Sequence, residues 1–362
     1  LCSVKFKGGF MKRIKTMIVA IFTTLTTFAQ SNVTIDASIA HDVLGNVSGG
    51  IKQGVSVLDY GTLGFSFNTE DMDLWNGGEL YINTAFTAGG NPSANLIGDL
   101  QIVDNIEAGN HFYMQELWYR QNITDNISIT FGLQDYNAEF MTREESGLYI
   151  NSTFGTNNVI AGNVAPPIFP LSALGLQINF NVSESFSMRV AAFDGQIYDF
   201  SESNPFNLKW SLSAEEGFLT SAEMILDNNA GTYKLGGYLH TALENYGVYL
   251  LGEKRLDNIG LFGQVAWAPK SKNEIYSQID AGINLYHLFF DDREDALGFA
   301  ITANLLEKMV NNHETVIELT YKLPVYGNFY VQPDFQYVIN PSGAGVKLDD
   351  AFVAMVRFGF EL

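Results

Sequence analysis

The sequence has 362 residues, and its 40 acidic residues outnumber its 20 basic ones, which gives a formal net charge of -20. A chain this acidic is unsuited to binding nucleic acid, because the phosphate backbone would repel it. Cys2 is its single cysteine and precedes the exported part described below, which excludes a disulfide framework and thiolate chemistry there.

The N-terminal segment has the layout of a secretory signal peptide. Met11 begins MKRIKTMIVAIFTTLTTFAQ, in which basic residues precede an apolar run and a small-residue cleavage site. The apolar run, from Met17 to Phe28, is too short for a membrane-spanning anchor. We therefore expect residues 1–10 to be an upstream artefact, residues 11–29 to be a signal peptide, and residues 30–362 to form one exported domain.

The exported domain has no run of about 18 apolar residues and hence no candidate transmembrane helix. Hydrophobic residues make up 46% of the chain, but they occur in short segments that alternate with polar residues, as in β-strands. The alternation predicts sixteen strands, provided that the glycine-containing segment 50–68 is a single strand. The predicted strands lie near residues 33–43, 50–68, 77–88, 111–121, 127–135, 173–181, 186–194, 216–226, 231–242, 246–253, 258–268, 276–290, 296–304, 314–322, 327–337 and 350–361.

The connections between these strands favour a membrane barrel over a soluble sandwich. In an up-and-down order, the long connections 89–110, 135–172 and 195–217 all fall at one end, whereas the turns at the other end are short. Short periplasmic turns and longer external loops are typical of outer-membrane barrels. A charge facing lipid at mid-depth would cost roughly 2–4 kcal/mol, so the charged faces of the strands are expected to line the lumen.

The stretch from His111 to Met141 contains the features expected of a pore constriction. A strand and a turn are followed by a second strand and then by the 135–172 loop, which is far longer than a hairpin requires. Long loops are often functional, so we expect this one to fold into the lumen and narrow the pore. Strict alternation places Met114, Glu116, Trp118 and Arg120 on the polar face of the first strand, and Tyr113, Gln115, Leu117 and Tyr119 on the other.

Eight short motifs occur in an order that spans nearly all of the exported domain. They are NLIGDLQ at 95–101, NIEA at 105–108, QELWYRQ at 115–121, FGLQDYNAEF at 131–140, INSTFG at 150–155, FPLSALG at 169–175, AAFDG at 191–195 and QPDFQYVINPSG at 332–343. As a set, they resemble the carbohydrate-selective outer-membrane porins of the OprB type. The resemblance implies a sixteen-stranded, trimeric porin that passes monosaccharides or small oligosaccharides. We expect diffusion through it to need no cofactor and no metal. Gln134 stands where the family is expected to have lysine, so the charge at the constriction departs from the family pattern.

A sugar-selective pore needs polar groups that exchange hydrogen bonds with hydroxyls, and aromatic rings that stack on the apolar faces of sugar rings. Binding has to stay weak, because a tightly held solute does not leave. An alternative role for opposed charges, such as Glu116 with Arg120, or Glu318 and Asp334 with Lys234 and Arg357, is a ladder that stabilises the barrel wall. The inward candidates for sugar contacts are Glu116, Trp118, Arg120, Gln134, Asn137, Glu139, Glu223, Lys234, His240, Asp280, Glu318, Gln332, Asp334, Gln336 and Arg357.

Three other functions compete with a sugar-selective porin. The acidic composition favours a general or cation-preferring diffusion pore as the main alternative. An outer-membrane enzyme is less well supported, because no spacing sets a nucleophile beside a base and no metal-ligand cluster is visible. A soluble, lectin-like sandwich is the third possibility. We expect a porin in the bacterial outer membrane, with sugars as solutes, lipid around the barrel and two further copies of the chain as partners.

Overall fold

The structure is a computed structural model that describes residues 33–290 and 293–362. The upstream segment 1–10 and the signal peptide at 11–29, both expected from the sequence, lie outside the described residues. The described strands form one closed antiparallel barrel, in which β1 pairs with both β2 and β16. The prediction of sixteen strands is confirmed, and the uncertain segment 50–68 contains one strand, Gly54–Asn68.

Each strand hydrogen-bonds to the strands that precede and follow it in the sequence. The strands are β1 Val33–Ser48, β2 Gly54–Asn68, β3 Gly78–Gly89, β4 His111–Thr124, β5 Ile127–Gln134, β6 Ala173–Ser183, β7 Phe186–Asp194, β8 Phe218–Asn228, β9 Gly231–His240, β10 Asn245–Leu256, β11 Ile259–Trp267, β12 Ile275–Tyr286, β13 Ala296–Leu306, β14 His313–Tyr326, β15 Phe329–Ile339 and β16 Ala351–Glu361.

The connections contain short helical pieces only. None of the helices among the described residues is long and apolar enough to cross a membrane. The helical pieces are a π-helical turn at Ser93–Ile97, 3-10 turns at Tyr136–Ala138 and Glu145–Leu148, and the α-helices α1 Ser152–Gly155 and α2 Asn158–Val164.

The strands alternate between an apolar outer face and a buried inner face. In β11, for example, Leu261 and Val265 are 40% and 44% exposed, whereas Phe262 and Gln264 between them are buried. The same period of two runs through β8, β12, β14 and β16. An apolar outer band around a closed barrel is what a lipid bilayer requires, because every backbone polar group is paired within the sheet.

Two long loops from one end fold back onto the inner face of the barrel. The 90–110 loop packs against Leu44, Val316 and Met355, and the 135–172 loop packs against a separate apolar group that includes Leu251. The sequence pattern suggested a polar inner face, but the inner face also carries apolar side chains. Inward apolar side chains occur where a loop covers them and keeps them away from water.

Candidate functional site

The 135–172 loop leaves the barrel wall at Asp135, directly after β5 ends. The Asp135 carboxylate accepts hydrogen bonds from the backbone N–H of Asn137 at 2.8 Å, the backbone N–H of Phe169 at 3.1 Å and Gln115 Nε2 at 2.9 Å. One side chain thus joins the start of the loop, the end of the loop and β4. Burial raises the pKa of Asp135 to about 6, and the hydrogen bonds from N–H groups oppose that increase.

A β-bulge in β4 turns two consecutive side chains, those of Gln115 and Glu116, towards the lumen. Asn83 of β3 lies opposite Glu116, whereas the next residue of β3 lies opposite Met114, so Gln115 is the extra residue. Tyr113 and Gln115 are consequently inward and buried, and Met114 lies on the outer face. The faces assigned to these three residues from strict alternation were wrong, because the bulge shifts the period by one residue.

Glu116, Trp118 and Arg120 follow the bulge on the inner face, and all three are half-buried. Trp118 Nε1 donates a hydrogen bond to the Glu116 carboxylate at 3.2 Å, and the Arg120 guanidinium lies 4.8 Å from the centroid of the indole ring. Tyr81 of β3 packs beside Trp118, with ring centroids 5.0 Å apart. An aromatic surface flanked by a carboxylate and a guanidinium matches the apolar ring face and the hydroxyls of a sugar.

Glu139 of the 135–172 loop faces this part of the wall. Its carboxylate pairs with Arg120 at 2.7 Å and with Arg189 of β7 at 3.1 Å. The side chains of Arg120 and Glu139 are 28% and 31% exposed, so both are accessible from the lumen. We refer to Tyr81, Glu116, Trp118, Arg120 and Glu139 as the exposed cluster.

The inner face on the other side of the barrel is covered by the same loop. The Glu318 carboxylate accepts hydrogen bonds from the backbone N–H groups of Ile150 at 2.6 Å and Asn151 at 3.0 Å. Asp280 pairs with Arg143 of the loop at 2.6 Å, and neither side chain is more than 1% exposed. These two acids therefore bind the loop and leave no surface for a solute.

Six further candidates hold a loop or another buried side chain in the same way. These six residues, with Asp280 and Glu318, form a group of eight that we call the anchor set. Glu223 accepts from Met141 N at 3.0 Å, Lys234 donates to Thr142 O at 2.6 Å, Gln332 donates to Leu148 O at 2.7 Å, Gln336 donates to Val103 O at 2.8 Å, Asp334 accepts from Gln336 Nε2 at 3.1 Å, and Arg357 pairs with Asp42 at 2.7 Å and with Asp104 at 3.3 Å.

The last three candidates stabilise connections at the long-loop end of the barrel. They are fixed by hydrogen bonds close to the points where the loops meet the strands. Gln134 Nε2 donates to Gly175 O at 2.8 Å, His240 Nε2 lies 2.8 Å from Gly195 O, and Asn137 Oδ1 accepts from Thr156 Oγ1 at 2.7 Å.

The wall charges do not form the ladder that was considered from the sequence. Arg120 forms its ion pair with Glu139 and not with Glu116. Arg357 pairs with Asp42 and Asp104, and Lys234 donates to Thr142 of the loop. Each of these cations instead contacts a group of an inserted loop.

Several residues of the site were missed by sequence reasoning. Tyr81 lies on a strand that carried no candidate, although its inward position follows from the alternation in β3. Arg143, Arg189 and Asp42 gave no local signal, because their partners are distant in sequence; Arg143 and Asp280 are 137 residues apart. Such contacts form only in the closed barrel, so the local sequence gives no indication of them.

A cavity of about 1150 Å³ lies on the short-turn side of the 135–172 loop. Its wall runs from Arg189 and Lys234 to the turn at 184–185, and it also includes Glu253. Because Arg189 contacts Glu139, the cavity begins beside the exposed cluster. Among residues 33–290 and 293–362, no group of three or more His, Cys, Asp or Glu side chains is arranged to hold a metal ion.

Comparison with known proteins adds independent information. A family model described as carbohydrate-selective porin, OprB family, matches residues 52–249 and 244–362. No curated protein matches the sequence.

Solved structures share the fold at low sequence identity. The high-pH structure of OprB from Pseudomonas putida has a TM-score of 0.83 and 18% identity, covering 94% of this chain and 97% of that chain. The low-pH structure of the same protein has a TM-score of 0.62 and 16% identity, covering 94% and 96%. The outer-membrane channel DcaP of Acinetobacter baumannii has a TM-score of 0.58 and 9% identity, covering 91% and 97%.

Proposed function

Because the chain belongs to the OprB family of carbohydrate-selective porins, we propose that the exposed cluster is the point at which its pore selects sugars. The protein is a sugar-selective porin of the bacterial outer membrane, and its family and fold are those of a channel rather than an enzyme. Passive diffusion needs neither a cofactor nor an energy source. We further propose that the protein has no catalytic activity and that its solutes are monosaccharides and small oligosaccharides.

One observation supports this placement above all others. Of the fifteen residues selected from the sequence, Glu116, Trp118, Arg120 and Glu139 combine partial exposure with contacts to one another, whereas the anchor set is buried. A sugar that lies against Trp118 would have the Glu116 carboxylate and the Arg120 guanidinium within reach of its hydroxyls. Exchange of the Arg120–Glu139 pair for hydrogen bonds to the sugar would keep the binding weak and reversible.

Liposome swelling tests this function. Vesicles that contain the protein should swell faster in glucose than in a non-sugar solute of similar size, and maltose should enter more slowly because it is longer. Arg120→Met should remove most of the preference for glucose, whereas Lys272→Met, in an external connection, should not. Equal swelling in glucose and in the size-matched solute would contradict selectivity.

A cation-preferring pore is the second candidate, and the short-turn end of the barrel favours it. Five of the seven described turns at that end carry an exposed acid, namely Glu70, Asp125, Glu184, Asp257 and Glu294. A ring of carboxylates at a pore mouth concentrates cations and repels anions. The reversal potential in a potassium chloride gradient tests this preference: a value near zero would rule it out, whatever the sugars do.

We also propose that the exported domain begins after the signal peptide at 11–29 and that three copies of the chain associate in the membrane. Outer-membrane lipid then surrounds the trimer. Mobility on gels of unheated and heated outer-membrane fractions tests the assembly, because a trimer would migrate as a larger band that heating removes.

A further inference from the structure

A second cavity, of about 510 Å³, lies at the long-loop end of the barrel and shares no residue with the exposed cluster. It lies between the end of the 135–172 loop and the two ends of the 195–217 loop, and residues 242–243, which follow β9, also line it. Cavities that bind small molecules typically have volumes of about 300–1,000 Å³, so this one can accommodate an organic molecule of moderate size.

Most of the wall of this cavity is apolar. Ten of its sixteen lining residues are Ala, Val, Pro, Ile or Leu, among them Ile168, Leu171, Ile197 and Leu243. Displacing water from such a wall by an apolar group is favourable, whereas the hydroxyls of a sugar would lose hydrogen bonds against it. The cavity therefore favours a ligand with an apolar body over the solutes of the pore.

The charged side chains of the wall are all acidic. Asp199, Glu215 and Glu216 line the cavity, and no lysine or arginine does. Asp199 and Glu215 are exposed, so their carboxylates are accessible from the solvent. Lys209 of the same loop has its Nζ 4.3 Å from the centroid of the Tyr198 ring and does not line the cavity.

Hydrogen bonds fix the protonation of Glu216 and His240. The Tyr198 hydroxyl donates to the Glu216 carboxylate, and this hydrogen bond lowers the pKa of Glu216 from its ordinary value. His240 Nδ1 accepts from the backbone N–H of Leu243 at 3.3 Å, so Nε2, which lies 2.8 Å from Gly195 O, carries the proton. The imidazole is therefore neutral, and the wall has a net negative charge that only a cation would balance.

We infer that this cavity binds a compact organic cation, an alkyl- or arylammonium ion. The apolar body of the ion fills the space between the two loops, and its charged group lies towards Asp199 and Glu215. Charge complementarity excludes an anion of the same size. This site is separate from the one proposed for sugars, so the inference can fail without affecting sugar transport, which liposome swelling measures.

Protection of a thiol in the cavity wall tests the inference. The chain's one cysteine is Cys2, so single-cysteine variants are prepared in a Cys2→Ser background. Gln196→Cys places a thiol in the wall, and Ser203→Cys, in the same loop but outside the cavity, is the matched control because both residues are exposed. Labelling by the neutral reagent N-ethylmaleimide is timed in native outer membranes with trimethylphenylammonium or with benzenesulfonate, an anion of similar size.

Trimethylphenylammonium should slow the labelling of Gln196→Cys by about fivefold or more and leave that of Ser203→Cys unchanged. Combining Asp199→Asn and Glu215→Gln with Gln196→Cys should reduce the protection to less than about twofold, because the apolar wall remains but most of its charge is lost. Heat-modifiable mobility verifies that each variant is folded. Protection that survives the loss of both carboxylates, equal protection by benzenesulfonate, or no protection of the folded Gln196→Cys variant would overturn the inference.

Discussion

A residue of the exposed cluster and a residue of the anchor set take part in the same kind of ion pair in different surroundings. Arg120 and Glu139 are 2.7 Å apart and roughly 30% exposed, whereas Arg143 and Asp280 are 2.6 Å apart and almost completely buried. Water screens the first pair, so it adds little to stability and can exchange partners. The second pair cannot open without leaving a charge unpaired in the interior. In the proposed site, access to water, rather than residue type, separates the groups that are free to exchange partners from those that hold a loop.

The largest effect is expected from breaking a buried pair. Arg143→Met leaves Asp280 without its cation, and removing one partner of a buried ion pair costs about 3–5 kcal/mol. Part of the 135–172 loop should leave the wall, so the free energy of unfolding should fall and single-channel conductance should rise. Guanidinium denaturation in detergent and planar-bilayer recording measure the two quantities.

A surface pair provides the control for this variant. Lys322 and Glu361 are 3.0 Å apart, but their side chains are 30% and 58% exposed. Lys322→Met should change the free energy of unfolding by less than about 1 kcal/mol and leave conductance unchanged. If the two variants were equally stable, burial would not distinguish the two classes of pair.

A smaller effect, on sugar binding alone, is expected in the exposed cluster. Arg120→Met removes hydrogen bonds to the solute, and about tenfold more glucose should be needed to block the channel current, equivalent to about 1.4 kcal/mol. The free energy of unfolding should stay within about 1 kcal/mol of the wild type, because this pair is exposed. A large loss of stability with unchanged glucose block would move Arg120 into the anchor set.

The smallest effect is expected from pH, through Asp135 at the root of the loop. Its pKa is raised to about 6 by burial, so the folded state binds the proton more tightly than the unfolded chain does. The stabilisation from this group is present below about pH 4, its ordinary pKa, and is lost as the pH rises through about 6.

Current noise from loop movement should therefore increase by roughly twofold to threefold between pH 4.5 and pH 7. A change of that size in the population of the displaced loop corresponds to less than the free energy of one pKa unit, about 1.4 kcal/mol. Asp135→Asn should flatten this dependence, whereas Asp125→Asn, in a short turn, should not. Noise that falls as the pH rises would show that the sign is wrong.

The fold could be predicted from the sequence because the barrel repeats one simple pattern. Strands such as Phe186–Asp194 were located correctly, since an apolar outer face forces a period of two. The bulge at Gln115 could not be found in this way, because one extra residue leaves the composition of the strand unchanged. Only the register with β3 explains why Tyr113 and Glu116, an odd number of residues apart, both point inward.

The candidate site could be predicted in part. Glu116, Trp118 and Arg120 were selected because they share a polar face within a short stretch, and the structure places them in contact with one another on the inner face. Glu318 and Asp280 were selected by the same argument, but their partners come from the 135–172 loop. Sequence alternation shows that a side chain points inward, but it does not show whether a loop covers it.

The position of a bound sugar tests the central claim most directly. A crystal structure of the protein with glucose should show the sugar ring against Trp118, with hydroxyls within hydrogen-bond distance of Glu116 and Arg120. Glucose bound only in the cavity between Arg189 and the turn at 184–185, with the exposed cluster empty, would contradict the account.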